Sequence, residues 1–174
     1  MSIISIITAV DEHNAIGKKN RLLWDLPFDM QRFKGATTGH AVVMGRRTFE
    51  SLPKGALPNR KNIVLTTLPP ESFIDVFVCN SMTDALELCE KETEVFMIGG
   101  AMVYKAAMEI ADKLYLTRVH HVFEDADIFF PEINFDEWTE IENDPRPADA
   151  RHVYAYTFHT YVRKCGGRIP TLAP

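Results

Sequence analysis

Read for apolar and polar positions, the chain opens on a nearly unbroken apolar run, Ile3 to Val10, rich in β-branched residues. Such a run, apolar on both faces, is the pattern of a strand buried inside a sheet. Asp11 to Leu22 is polar and carries Asn14, Gly17 and Asn20, which predicts a loop long enough to act as a lid. Pro27 has a fixed φ and no backbone donor, so it suits the first position of a helix. Leu26, Met30 and Phe33 recur around it at helical spacing, and the helix is expected to end near Gly35 or Gly39. Ala41 to Gly45 reads as a strand and Arg46 to Leu52 as a short helix, before a loop marked by Pro53, Gly55 and Pro58. Asn62 to Thr66 and Val76 to Cys79 read as strands, the first stopped by Pro69-Pro70. Ser81 or Thr83 can cap a helix running to about Glu90. Glu94 to Ile98 is a strand entering Gly99-Gly100, followed by a helix from Ala101 to Ala111 and a strand from Lys113 to His121. Asp125 begins an acidic connection to Pro131. Glu137 to Glu142 and His152 to Arg163 have strand character, and the turn-forming Asp144 to Asp149 between them predicts a terminal antiparallel hairpin.

Strands alternating with helices predict an α/β fold: a mostly parallel sheet with helices on both faces, closed by a C-terminal antiparallel hairpin. There is no internal repeat. A chain of 174 residues supports one well-buried core rather than two full-sized domains. Cys165 to Pro174, rich in glycine and proline, is expected to be a disordered tail.

Composition acts mainly by exclusion. A net charge of −5 argues against nucleic acid or an anionic membrane as partner. Cys79, Cys89 and Cys165 are an odd set without paired spacing, which suggests a reducing compartment and no metal site. The N-terminal apolar run is too short to span a bilayer, lacks a basic lead-in and meets Asp11-Glu12, so neither a signal peptide nor an anchor fits. The expected location is the cytoplasm. The histidines, His120-His121 included, lack metal-ligand spacing and read as structural or solvated.

Candidate chemistry begins with Asp29. It falls in the first turn of the Pro27 helix, on or beside the apolar stripe, where a carboxylate is costly unless donors meet it. By itself it also fits an acid complementing the helix dipole. Two strand–glycine–helix junctions recur, at Met44-Gly45-Arg46 and Ile98-Gly99-Gly100-Ala101. Glycine lets a phosphate approach the backbone, and helix starts favour anions, although each junction alone can be an ordinary tight turn. Arg46-Arg47 and the hydroxyls of Thr66-Thr67 make a polyphosphate with a ribose 2′-phosphate more credible. Arg60 is either a surface charge or a fork for a carboxylate. Trp24 reads as core.

Several motifs in register carry a family resemblance. They are Ala-Ile-Gly at 15–17, Leu-Trp-Asp-Leu-Pro-Phe-Asp at 23–29, Phe33-Lys34 and Val-Met-Gly-Arg-Arg-Thr-Phe-Glu-Ser at 43–51. Leu-Pro-Asn-Arg-Lys-Asn at 57–62, Ile-Gly-Gly-Ala at 98–101, Leu-Tyr-Leu-Thr at 114–117 and Phe-Phe-Pro at 129–131 complete the set. Together they resemble dihydrofolate reductase of the common chromosomal type, from Ile3 to about Arg163.

The resemblance implies an eight-stranded sheet with four main helices, one domain over 1–164 and an adenosine-binding subdomain at about 39–90. It implies NADPH-dependent reduction of 7,8-dihydrofolate to tetrahydrofolate, with hydride going to C6 and a proton to N5. It also implies a role in one-carbon metabolism and thymidylate synthesis, antifolate inhibitors as ligands and a monomeric state. Asp29, Leu22, Trp24, Thr117 and Tyr104 match catalytic positions. Ile7, Ala9, Met30, Phe33, Lys34, Ser51, Leu52, Leu57 and Ile98 match the substrate pocket, with Asp29 and Thr117 at its polar end. Arg60 matches the arginine that holds the glutamate α-carboxylate. Ala9, Ile16, Asn20, Leu22, Gly45, Arg46, Arg47, Thr48, Leu65, Thr66 and Thr67 match cofactor contacts. So do Ile98, Gly99, Gly100, Ala101, Met102, Val103 and Tyr104, and residues 11–24 match a mobile loop over the nicotinamide.

Leu23 departs from the family's proline, and Met102 from an arginine found there in some members; the tail after Lys164 exceeds the usual end. Two other readings stay open. Another NADPH reductase on this fold, such as the pyrimidine reductase of riboflavin synthesis, is opposed by Arg60 and the Trp24 to Asp29 segment. A nucleotide-binding module without catalysis would bind NADPH but leave it unoxidised when dihydrofolate is added.

Overall fold

The computed structural model describes residues 2–19 and 21–164, so Met1, Asn20 and the tail expected at 165–174 lie outside the described residues. The first half of the chain forms β1 (Ile3–Val10), β2 (Ala15–Lys18), β3 (Arg21–Leu22), α1 (Pro27–Thr37), β4 (Ala41–Gly45), α2 (Arg46–Ser51) and β5 (Lys61–Leu65). A short 3-10 turn at Pro70–Ser72 precedes β6 (Phe77–Cys79), α3 (Met82–Leu88), β7 (Glu94–Gly99), α4 (Ala101–Met108) and β8 (Lys113–Val119). The chain then forms β9 (Ile128–Phe129), a second 3-10 turn at Phe135–Glu137, β10 (Trp138–Arg146) and β11 (Tyr156–Arg163).

Eight strands make one sheet in the order β10-β11-β8-β1-β7-β4-β5-β6. β1 lies parallel between β7 and β8, and β4 and β5 extend the parallel set to β6. Direction reverses at β11, which runs antiparallel to both β8 and β10. The parallel sheet and its antiparallel end are those the alternation predicts.

Side-chain alternation along β4 explains the layers. Ala41 and Val43 join Ile4, Ile6, Met97 and Leu114 on one face, where α3 and α4 add Ala85, Val103 and Ala107. Val42 and Met44 join Ile7, Val64 and Phe96 on the other, where α1 and α2 add Phe33, Ala36 and Phe49. With both faces covered there is no place for polar alternation in β4. Each fully buried side chain of this kind stabilises the fold by about 1.5–3 kcal/mol.

Local signals set several boundaries. α1 stops where the backbone N–H of Thr38 and its hydroxyl both donate to Lys34 O, at 3.0 and 2.6 Å. Gly39 follows at φ +85°, a left-handed turn that glycine adopts without strain, while Gly35 lies inside the helix. Of the two candidate caps for α3 it is Ser81 that serves, its Oγ accepting the N–H of Asp84 at 3.1 Å. α4 ends at Met108 and β8 at Val119, each short of the expected end.

Two expectations need correction. The stretch from Asp11 to Leu22 is not a single loop: β2 pairs with β3 and also with β9, closing a second sheet of order β3-β2-β9. The acidic connection therefore contains a strand too. The terminal hairpin is also reapportioned. β10 runs through Asp144 to Arg146, into the expected turn, and Pro145 is accommodated because β10 is the edge of the sheet. β11 begins at Tyr156, leaving His152 buried in the connection. Among the described residues, no helix is long and apolar enough to cross a membrane.

Candidate active site

β1, β4, β5, β7 and β8 are parallel, so their C-terminal ends share one edge of the sheet, where α/β folds gather their ligands. α1 brings Asp29 to this edge. The start of α1 lacks a local cap: Leu26 has no side-chain oxygen and Pro27 has no N–H. His152 fills the gap, its Nε2 lying 3.1 Å from the backbone N of Phe28 and its Nδ1 2.9 Å from Asp149 Oδ1. An amide N–H can only donate and a carboxylate can only accept, so the ring is neutral with its proton on Nδ1. Phe28 and Tyr156 pack against the imidazole, with centroids 4.6 and 5.2 Å away.

Asp29 keeps some exposed surface but lies deep among protein atoms. Its Oδ1 accepts the hydroxyl proton of Thr117 at 2.6 Å. Thr117 is a buried residue of β8, in register with Ala9 of β1. Burial raises the Asp29 carboxyl above the usual aspartate range, against the opposing effects of the Thr117 hydrogen bond and the Arg32 charge. Ile7, Phe33, Leu52, Leu57 and Ile98, all expected to line the pocket, belong to one apolar cluster. Tyr104 donates its hydroxyl to Ile7 O at 3.0 Å, and burial holds its phenol well above the usual tyrosine range.

The two glycine junctions come side by side because Met44 of β4 pairs with Gly99 of β7. Neither Gly45 nor Gly100 supplies a side-chain cap to the helix it precedes, so the first N–H groups of α2 and α4 have no side-chain acceptor there. Gly99 sits at φ +122°, and a Cβ on it would meet the Tyr104 ring at 3.3–3.4 Å. A Cβ on Gly100 would lie 3.5 Å from Thr48 Oγ1. Gly45 is in register with Leu65, so Thr66 and Thr67 emerge beside it. Arg46 makes an exposed pair with Glu50 at 2.9 Å, and Arg47 is exposed next to it.

The remaining expected residues divide between interior and surface. Arg60 donates from Nε to Pro58 O at 2.9 Å and from Nη1 to Thr37 Oγ1 at 3.1 Å, with its pKa lowered by burial. Trp24 is buried with Leu26, Val119, Tyr156 and Phe158, and among the described residues its Nε1 has no hydrogen-bond partner. Ile16, Leu65 and Val103 pack with the main core, and Ala9 against the Trp24 cluster. Ser51 donates to Thr48 O at 2.6 Å, and Ala101 starts α4. Leu22, Met30 and Met102 are exposed, Met102 to 81%, and Lys34 is exposed as well. Asn20, an expected cofactor contact, lies outside the described residues.

Three residues that shape the site are not singled out by the sequence pattern. Asp11 ties down the base of the 11–24 segment: Oδ1 accepts the N–H groups of His13 and Ala15, both at 2.8 Å, and Oδ2 accepts that of Phe123 at 2.9 Å. His152 caps α1. Arg32 lies behind Thr117, and a cation three positions after Asp29 on one helix is the signal that marks it.

Comparison with known proteins agrees with this geometry. A family model described as dihydrofolate reductase matches residues 3–163. The chain is 43% identical over 161 residues to the dihydrofolate reductase of Bacillus subtilis, covering 92% of this chain and 95% of that protein. It is 40% identical over 160 residues to that of Staphylococcus haemolyticus, with coverage of 92% and 95%. A solved dihydrofolate reductase from Enterococcus faecalis, complexed with NADP(H) and RAB-propyl, superposes with a TM-score of 0.86 at 37% identity, covering 93% of this chain and 96% of that one.

Proposed function

The chain belongs to the dihydrofolate reductase family, and on that premise we propose the part each residue takes in its reaction. The protein is an NADPH-dependent oxidoreductase that reduces 7,8-dihydrofolate to tetrahydrofolate, and its pocket accepts antifolate ligands. It works as a monomer in the cytoplasm, serving one-carbon metabolism and thymidylate synthesis. The observation that carries the assignment of roles is Asp29: a carboxylate beside an apolar cluster, with one oxygen bonded to Thr117 and the other available to ligand N–H donors.

The residues at the strand ends fit a dinucleotide. Adjacent helix starts without side-chain caps suit a pyrophosphate, and a side chain at Gly99 would be strained at φ +122° and crowd Tyr104 at 3.3–3.4 Å. Arg46, Arg47, Thr66 and Thr67 are the cations and hydroxyls for the 2′-phosphate. Residues 39–90 hold the adenosine end within a single domain. When bound, NADPH supplies the hydride that C6 of the pterin receives.

The chain's own work is binding, orientation and electrostatics. Ile7, Phe33, Leu52, Leu57 and Ile98 exclude water from the ring and hold it in place. Arg60, with two of its N–H groups committed to Pro58 and Thr37, offers Nη2 to the glutamate α-carboxylate. Asp29 accepts the amino and ring N–H groups of the pterin and so favours its protonated form. A water admitted by the 11–24 segment delivers the proton to N5.

The test is loss of NADPH absorbance on adding dihydrofolate to the purified protein, with Asp29→Asn alongside. Rapid loss with the parent and slow loss with the variant are expected. Bound NADPH that stays unoxidised would return the chain to a binding module.

A further inference from the structure

Arg32 stands one helical turn beyond Asp29 and has no part in the mechanism above. Its side chain is only 15% exposed. Nη2 donates to Glu142 Oε1 at 2.7 Å, to Thr160 Oγ1 at 3.0 Å and to the carbonyl of His159 at 3.0 Å. Thr160 in turn donates to Glu142 Oε1 at 2.9 Å. The guanidinium lies over Phe158, 4.8 Å from the ring centroid, with Tyr115 at 5.7 Å. A fork held by β10 and β11 and stacked on an aromatic face has little freedom to move.

Nη1 reaches the site, lying 3.5 Å from Thr117 Oγ1. That is long for a hydrogen bond, so its main effects are charge and occupation of the acceptor side of the hydroxyl. Thr117 has a single hydroxyl proton. With a cation on its acceptor side, that proton points to Asp29, as the 2.6 Å bond shows.

We infer that Arg32, locked by Glu142 and Thr160, is a positioning residue that orients the Thr117 hydroxyl toward Asp29 and keeps one positive charge behind the carboxylate. This rests on the reductase reading above. Asp29 and a protonated pterin share a proton-binding site, and a nearby cation lowers the proton affinity of that site whichever atom holds the proton. Arg32 therefore limits how far burial raises that affinity, and Glu142 weakens this effect by neutralising part of the charge.

The other titratable groups facing these two are accounted for. Tyr104 from α4 and Tyr156 from β11 face Asp29, and burial keeps both neutral at ordinary pH. Asp144 of β10 lies within electrostatic reach of Arg32 and is paired at 2.8 Å with Arg146. Arg146 lies over the same Phe158 ring and within reach of Glu142, while burial raises the phenol of Tyr115 on β8. His159 gives Arg32 only its carbonyl, since its ring is bonded to Glu140 at 2.7 Å. All of these are common to the variants below.

The experiment follows single-turnover hydride transfer with NADPH and dihydrofolate from about pH 5 to 9. Arg32→Gln should move the fall in rate toward higher pH by about 0.5–1 unit. Glu142→Gln, which unmasks the charge, should move it the other way by a smaller amount. Arg32→Lys keeps the charge and should keep the parent's profile on the pH axis. Its maximal rate should fall several-fold, since an ammonium cannot span the same acceptors. A purely structural Arg32 would alter stability and leave every profile in place.

Coincident profiles for the parent and Arg32→Gln, or shifts of the same sign for Arg32→Gln and Glu142→Gln, overturn the inference. If circular dichroism shows Arg32→Gln unfolded, Glu142→Gln decides by the sign of its shift, and no shift or an upward one overturns it. An inactive parent would overturn the reductase reading and this inference with it; an active parent with unmoved profiles overturns this inference alone.

Discussion

The imidazole of His152 accepts the backbone N–H of Phe28 at 3.1 Å, so the helix that presents Asp29 is capped from a point 124 residues away in the chain. Caps normally come from the residue just before the helix. Here the cap joins the connection between β10 and β11 to the first helix of the fold. His152→Ala should destabilise the protein by about 1–2 kcal/mol, combining the lost cap with an unsatisfied N–H. Urea unfolding measures the loss, and amide exchange at Phe28 and Asp29 should quicken in the variant. An unchanged midpoint would show that solvent caps α1 equally well.

Asp29→Asn should separate stability from catalysis. Burial raises the pKa of Asp29 in the folded state, so the ionised form opposes folding. The stability contributed by the neutral acid is complete below the ordinary aspartate pKa and is lost as pH rises through the raised value. Asparagine cannot ionise, and its carbonyl can still accept from Thr117. The variant should therefore be more stable than the parent at neutral pH, by about 0.5–2 kcal/mol, with the gap closing in acid. Its chemical step should be slow at neutral pH and recover partly as pH falls, because solvent then supplies protonated substrate. Thermal melts and single-turnover rates over the same pH series check both arms. A parent-like chemical rate at neutral pH would reduce Asp29 to a helix-end acid.

How much of this was legible depends on how local each signal is. Ile3 to Val10 and Ala41 to Gly45 announce buried parallel strands because both their faces meet helices. Pro27 and Ser81 mark helix starts through their own backbone chemistry. β2, β3 and β9 leave no such mark: they are short, and pairing across the chain makes them strands. Asp144 to Asp149 carries turn-forming residues, yet β10 uses Pro145 as an edge strand can. Asp29 was visible as a carboxylate on an apolar stripe. Thr117 and Arg60 gained their roles from motif resemblance, and His152 could not be told from any other histidine. A cap or an ion pair formed with a distant strand has no signature until the fold brings the partners together.

Arg60→Lys tests the carboxylate fork. Nε and Nη1 are held by Pro58 and Thr37, an arrangement a lysine ammonium cannot copy. Dihydrofolate binding should weaken by about 1–3 kcal/mol, with NADPH binding nearly unchanged. Equilibrium titration with each ligand measures the two affinities separately, and unchanged dihydrofolate affinity would count against the fork.

Arg46→Ala addresses cofactor choice. Its pair with Glu50 is exposed and contributes little to folding, so the variant should stay folded. NADPH affinity should fall about tenfold at low salt and NADH affinity much less, since only NADPH carries the 2′-phosphate. The difference should shrink as salt rises. Equal losses for both cofactors would put Arg46 away from that phosphate.

The sheet order has a consequence for how the protein is made. β11 lies between β8 and β10, so the edge of β8 has no neighbour until residues 156–163 have been synthesised. The partners of α1 come late too: Thr117, Glu142, His152 and Thr160 all follow the α1 residues they bond by about half the chain's length or more. During synthesis β4, β5 and β7 can pair before the partners of α1 exist. A chain emerging N-terminus first therefore carries an open strand edge and an uncapped α1 until nearly its last described residues leave the ribosome. That is the interval in which a chaperone or a second nascent chain would find it.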